Sequence, residues 1–125
     1  NSQWLIAMFK FEKLEIWMES IQFAKQIYLI VENFPKTEMF GLTSQIKRAV
    51  VSISSNIAEG SGSSTKKDYS HFLDIAIKST FETVSQLKLA HQLGFIDQKT
   101  LNETYEEAEI LIKRIVSFKK AVNKN

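Results

Sequence analysis

The sequence predicts an all-α fold: an antiparallel up-down-up-down four-helix bundle with left-handed packing. Three observations carry that reading. Apolar residues recur at alternating spacings of three and four over four long stretches, the period of one helix face. The chain has a single Pro and only four Gly, which argues for long helices rather than many short strands. The connectors are short, so neighbouring helices should run in opposite directions. At 125 residues the chain has room for one domain and one core. Roughly two-thirds of the unfolded surface is buried at this size, so no metal or disulfide staple is needed.

The reading divides the chain into an N-terminal arm, residues 1-11, and a bundle domain, residues 12-123. Its helices lie at about 13-34, 40-60, 65-93 and 98-122. Asn1 to Phe11 has no helix cap and reads as an extended arm. Trp4 to Phe9 is apolar but far shorter than the ~20 residues a membrane span requires. No basic segment or small-residue cleavage site marks it as a signal peptide. Met8 is a candidate natural start, which would make Asn1 to Ala7 an added or upstream segment.

In the first helix, Leu14, Trp17, Ile21, Ala24, Tyr28 and Val31 form one seam. A second set, Ile16, Phe23, Ile27, Ile30 and Phe34, lies about 100° round the helix. So wide an apolar face has two readings: the helix is sunk in its own bundle, or part of the face meets another subunit. Pro35 ends the helix by excluding helical geometry at the residue before it.

Lys36 to Leu42 is a connector. Either Thr37 caps the second helix, with Glu38 in its first turn, or the helix restarts after Gly41 at Thr43. Leu42, Ile46, Ala49, Ile53 and Asn56 form its seam, beside Val50 and Ile57, and Gly60-Ser61-Gly62 reads as its stop. Thr65-Lys66-Lys67-Asp68 matches a capping box for the third helix. The seam there is Tyr69, Leu73, Ala76, Thr80, Thr83, Leu87 and Ala90, and Gly94 terminates it. Asp97 or Thr100 caps the fourth helix, whose seam is Leu101, Tyr105, Ala108, Ile112 and Ile115. Its acidic residues come early and its basic residues late, as the helix dipole favours.

Composition and motifs narrow the chemistry. The net charge of +2, from 16 basic and 14 acidic residues, does not by itself imply nucleic acid. With no cysteine, thiolate sites and disulfides are excluded, and a reducing compartment fits. The two histidines, His71 and His91, both lie on the third helix. Only Asp68-x-x-His71 approximates the Glu-x-x-His pattern of di-iron bundles, so no metal or other cofactor is expected. No Ser sits in a Gly-x-Ser-x-Gly elbow. The run from Gly60 to Lys66 lacks the Gly that precedes the lysine of a phosphate loop, and it follows a helix instead of a strand. It reads as a helix end followed by a helix start. The free amides there, beside Lys66 and Lys67, can still attract a phosphate.

The second helix holds the least ordinary pattern. Arg48, Ser52, Ser55 and Glu59 line one polar stripe. Serines inside a helix are costly if merely exposed, so close packing is expected at Ser52 and Ser55. Asn56 lies among isoleucines, where a buried amide must find partners and can fix register. Arg48 and Glu59 are expected to act as charge partners. With the hairpin of the second and third helices centred near residue 63, Glu82 is expected to contact Gln45 or Arg48.

Several segments together resemble the 23S rRNA intervening-sequence proteins, also called four-helix bundle proteins. They are Phe11-Glu-Lys-Leu-Glu-Ile-Trp17; Phe34-Pro35-Lys36-x-Glu38-x-x-Gly41-Leu42-Thr43-x-Gln45-Ile46-x-Arg48-Ala49; Ser52-Ile53-x-x-Asn56-Ile57-Ala58-Glu59-Gly60; Phe72-Leu73-x-Ile75-Ala76; and Leu93-Gly94-Phe95-Ile96. The resemblance runs from about Phe11 to Phe118. It implies a bacterial cytoplasmic four-helix bundle that assembles as a ring-shaped homopentamer. Some relatives are encoded within inserts in large-subunit rRNA genes, and a related accessory protein binds nucleic acid and a reverse transcriptase. No catalytic residues are known for the family, so none carry over. Relatives often have Arg where this chain has Ser63, and Gly where it has Lys78. The first difference weakens the nucleic-acid expectation at the turn between the second and third helices.

The expectation is therefore a non-enzymatic, cytoplasmic homo-oligomer that binds RNA or DNA and does not enter a membrane. Phosphate contacts fall to Lys47, Arg48, Lys66, Lys67, Lys113, Arg114, Lys119 and Lys120, because repeated copies multiply a modest charge. Gln45, Arg48, Ser52, Asn56, Glu59, Gly60 and Glu82 are expected to be structural. The alternative is a scaffold for a protein partner, with no nucleic-acid role.

Overall fold

Apolar residues at helical spacing build α1 (Glu15–Val31), α2 (Leu42–Ser61), α3 (Lys66–Gln92) and α4 (Gln98–Asn123). The computed structural model describes residues 9–124, and no strand forms among them. The arm expected over the first eight residues lies outside the described residues. Beyond it, Lys10–Lys13 form a 3-10 turn where an extended chain was expected as far as Phe11. Its anchor is aromatic: Phe11 packs edge-on against Trp17 at 4.9 Å between ring centroids.

The helices pack as a four-helix bundle, α1 on α2, α2 on α3, α3 on α4 and α1 on α4. The α2–α3 contact is the most extensive. Of the two apolar sets on α1, the core takes Ile16, Phe23 and Ile27, joined by Val31. Ile21 and Ala24 are only half-buried, and Tyr28 is exposed. From α2 the core takes Ile46, Val50, Ile53 and Ile57; from α3, Leu73 and Leu87; from α4, Leu111 and Ile115. Each such fully buried branched side chain contributes about 1.5–3 kcal/mol.

The ends of the helices show what the spacing alone did not settle. α1 ends at Val31 rather than near Phe34. The chain unwinds through tight turns, with the Phe34 N–H donating to the Val31 carbonyl at 3.0 Å. Phe34 then packs against Phe95, ring centroids 5.5 Å apart. Of the two starts open to α2, the structure takes the restart after Gly41, one residue earlier than Thr43, with Leu42 the first helical residue; Thr37 does not cap it and lies in a 3-10 turn, Lys36–Glu38. Glu38 Oε1 instead accepts from the Leu42 N–H at 3.4 Å. Thr65 caps α3 by accepting from the Asp68 N–H at 3.1 Å. The reciprocal bond from the Thr65 N–H to the Asp68 side chain is absent among the described residues. Asp97, rather than Thr100, caps α4, accepting from the Thr100 N–H at 2.8 Å.

Two glycines separate sharply in role. Gly94, at φ +83, ends α3. Its N–H donates to His91 and the Phe95 N–H donates to Ala90, both at 2.9 Å. That double bond pattern is the Schellman ending, and it requires the left-handed geometry glycine adopts without strain. The expected stop at Gly60-Ser61-Gly62 is where α2 ends, with Ser61 its last residue and Gly62 its C-cap, but Gly60 itself is still inside the last turn. A Cβ at Gly60 would lie 3.0 Å from Phe72 Cβ and 3.0 Å from Tyr69 Cδ1. Gly60 is therefore a packing residue, where α2 and α3 approach too closely for any side chain.

Candidate functional site

The stripe on α2 organises the contact with α3. Asn56 Nδ2 donates to the Ser52 carbonyl at 2.7 Å and to Ser52 Oγ at 2.9 Å. Ser79 Oγ on α3 donates to the same Ser52 Oγ at 2.9 Å. Asn56 is half-buried and its amide donates within its own helix, so the cross-helix link is Ser52–Ser79 rather than Asn56 itself. The other inward hydroxyls bond back to carbonyls of their own helices. Thr80 reaches Ala76 at 2.9 Å, Thr83 reaches Ser79 at 2.8 Å and Ser54 reaches Val51 at 3.2 Å. Such back-bonding satisfies a buried hydroxyl while keeping the side chain small enough for close packing. Ser52 and Ser54 occupy the packed positions; Ser55, expected there, is exposed.

The expected contact of Glu82 with Gln45 or Arg48 is absent among the described residues. All three side chains are exposed. The Ser52–Ser79 bond sets a register centred between residues 65 and 66 instead of near 63. In that register Glu82 lies level with Ala49, one residue from Arg48, but both side chains are on exposed faces and make no contact. Arg48 and Glu59 likewise form no ion pair among the described residues. They stand about three helical turns apart, beyond side-chain reach.

The eight basic candidates divide into paired and unpaired groups. Arg114 meets Glu19 of α1 at 2.6 Å, and Lys119 meets Asp74 of α3 at 2.6 Å. Hydrogen bonding and charge from Glu19 raise the Arg114 pKa above its ordinary value. Lys113 pairs with Glu109 one turn away at 3.4 Å. These three already have carboxylate partners. Lys47 lies over the Tyr28 ring, 5.0 Å from its centroid, a cation–π contact of about 0.5–1 kcal/mol at an exposed site. Arg48, Lys66, Lys67 and Lys120 are exposed and have no carboxylate partner among the described residues. Ser70 Oγ donates to Asn123 Oδ1 at 2.7 Å. That bond brings the start of α3 and the end of α4 together, so the unpaired lysines gather at one end.

Three features of the surface escaped sequence reasoning. The first is a groove of about 550 Å³ between α1 and α2, where Tyr28, Met39, Phe40 and Val51 surround Ser55 and Arg48. Phe40 is 93% exposed. Its place in the connector was legible, but its lack of cover was not. The second is a groove of about 590 Å³ between α3 and α4, walled by Phe81, Val84, Tyr105 and Ile112. Lys88 lies over the Tyr105 ring at 4.9 Å. The third is the Tyr69 hydroxyl, buried without a hydrogen-bond partner among the described residues. Burial raises the pKa of that phenol. Among the described residues, no group of three or more His, Cys, Asp or Glu side chains is arranged to hold a metal ion. No helix there is long and apolar enough to cross a membrane.

Comparison with known proteins meets this geometry. The profile described as 23S rRNA-intervening sequence protein matches residues 12–117. A crystal structure from Bacteroides thetaiotaomicron, described as a protein of unknown function from the S23 ribosomal protein family, has the same fold with a TM-score of 0.75. The two sequences are 26% identical, and the match covers 84% of this chain and 98% of that one. None of the curated proteins compared matches the chain. The four helices and the matched span agree: the chain belongs to the 23S rRNA-intervening sequence protein family.

Proposed function

We propose that the protein is a non-enzymatic bundle that assembles into a homopentamer and binds RNA, or another nucleic acid, through the basic end shared by α3 and α4. The observation that carries the reading is the gathering of Lys66, Lys67 and Lys120, all exposed and none matched by a carboxylate among the described residues. The charge of one copy is only +2. A ring repeats the basic end, and phosphate binding strengthens with each cation brought to bear. A bacterial cytoplasmic location goes with the same reading.

In this account, neighbouring helices run antiparallel with left-handed packing. Supporting that course, Ser70 meets Asn123, Asp74 meets Lys119 and Lys88 meets Tyr105, so numbers rise along α3 as they fall along α4. Short connections favour such packing.

The test is binding to a structured RNA across a salt series. Affinity that falls steeply between ~50 and ~200 mM salt supports phosphate contact. No binding, or an affinity indifferent to salt, refutes it. The apolar groove of Phe81, Val84 and Ile112 favours a second reading, a scaffold for a protein partner with no nucleic-acid role. Absent RNA binding is the outcome expected under that reading.

A further inference from the structure

Two clefts flank the outer surface of α1, and they differ in charge. The face toward α2 carries Lys25 and Arg48 beside exposed Tyr28 and Phe40. Neither cation has a carboxylate partner among the described residues. The cleft toward α4, about 310 Å³ in volume, is lined by Glu19 and Glu107 together with Met18 and Ile110. Glu107 has no cation partner among the described residues. Both apolar side chains of that cleft are substantially exposed, Met18 at 43% and Ile110 at 50%.

We propose that the α1/α2 face of one copy docks on the α1/α4 cleft of a second copy, with Arg48 meeting Glu107 and Phe40 covering Met18 and Ile110. The proposal rests on the assembly reading above and names the two surfaces that make the contact. Charge selects this pairing. Two α1/α2 faces set against each other would bring the cations Lys25 and Arg48 of one copy near those of the other, and two α1/α4 clefts would bring their Glu107 side chains near one another. Like charges across an interface suppress those symmetric arrangements. The contact is therefore head-to-tail, and head-to-tail contacts form rings when their rotation closes. The two faces share α1, so in a bundle with a helix at each corner they meet at about a right angle. Binding also gives the outer side of α1, apolar at Ile21, Ala24 and Tyr28, a partner to cover it.

The test is the assembly state, measured by light scattering and sedimentation over a concentration series. Arg48→Glu should weaken association at least ~tenfold, and so should Glu107→Arg. The double variant restores opposite charges across every contact and should return to within ~threefold of the native chain. Phe40→Asp should abolish assembly, with the helical circular dichroism retained because Phe40 is almost fully exposed. An assembly that withstands both Arg48→Glu and Phe40→Asp overturns the proposed faces while leaving the assembly reading intact. A native chain that stays monomeric overturns the assembly reading and this inference with it.

Discussion

Replacing Gly60 with Ala tests the close approach of α2 and α3, and the control lies two residues away. In a helix interior, Ala is favoured over Gly by about 1 kcal/mol, so an unhindered Gly→Ala change stabilises. At Gly60 the new methyl would stand 3.0 Å from Phe72 Cβ and from Tyr69 Cδ1. Ordinary carbon contacts lie at about 3.5–4.0 Å. Phe72 Cβ is fixed to the backbone, so relief requires α3 itself to move. Overpacking of this kind costs about 1–3 kcal/mol. The balance is a net loss near 1 kcal/mol. At Gly62 the nearest atom to an added Cβ is the Glu59 carbonyl oxygen, 3.5 Å away. The backbone there, at φ −88, suits any residue. Gly62→Ala should gain about 0.4–1 kcal/mol, chiefly by restricting the unfolded chain. The two variants should therefore differ by nearly 2 kcal/mol. That is on the order of 8 °C in thermal midpoint at this chain length. Calorimetry or a circular-dichroism melt reads the difference. If Gly60→Ala raises the midpoint as much as Gly62→Ala does, Gly60 is only a helix end and the reasoning fails.

Three further outcomes follow from the same geometry. Gly94→Ala places a Cβ at φ +83 and should cost about 1–2 kcal/mol; an unchanged melting midpoint would show that the Schellman ending is dispensable. Tyr69→Phe removes a buried hydroxyl that has no partner among the described residues. It should be neutral or stabilising by up to ~1 kcal/mol, whereas a clear loss in denaturant unfolding would mean the hydroxyl is bonded in the assembled protein. Asp97 accepts hydrogen bonds from Thr100 that hold its carboxyl below the ordinary range. Its contribution is present above the unfolded value of about 3.9 and is lost as pH falls through the lower, folded value. Asp97→Asn keeps a capping oxygen but cannot titrate, so its melting midpoint should fall less than the native one between about pH 5 and pH 2; parallel profiles would contradict the assignment.

The fold class was legible because helical periodicity, sparse Gly and Pro and short connectors all point the same way. Seams such as Ile46–Ile53 and Leu73–Leu87 needed only spacing. The helix ends were less legible, since caps compete locally. Spacing left two starts open for α2, and the helix takes the one after Gly41, where Glu38 rather than Thr37 reaches its first N–H; Asp97 took the place equally open to Thr100. Gly60 shows the deeper limit. A glycine before Ser-Gly looks like a stop, and only the nearness of Phe72 and Tyr69 reveals a packing position. The Glu82 contact failed for a related reason: spacing places Glu82 level with the region of Arg48, but only the packed helices show that both side chains lie on exposed faces. Among the basic candidates, sequence supplied the charges, but only geometry showed that Asp74, Glu19 and Glu109 already hold three of them.

The most direct test of the account is the salt dependence of RNA binding, compared between the native chain and a Lys66→Gln, Lys67→Gln, Lys120→Gln variant. Phosphate contacts at the shared end of α3 and α4 predict weaker binding by the variant at every salt concentration. They also predict a shallower slope of log affinity against log salt, by about 1 for each lysine that contacts phosphate. Equal slopes and equal affinities for the two proteins would contradict the account.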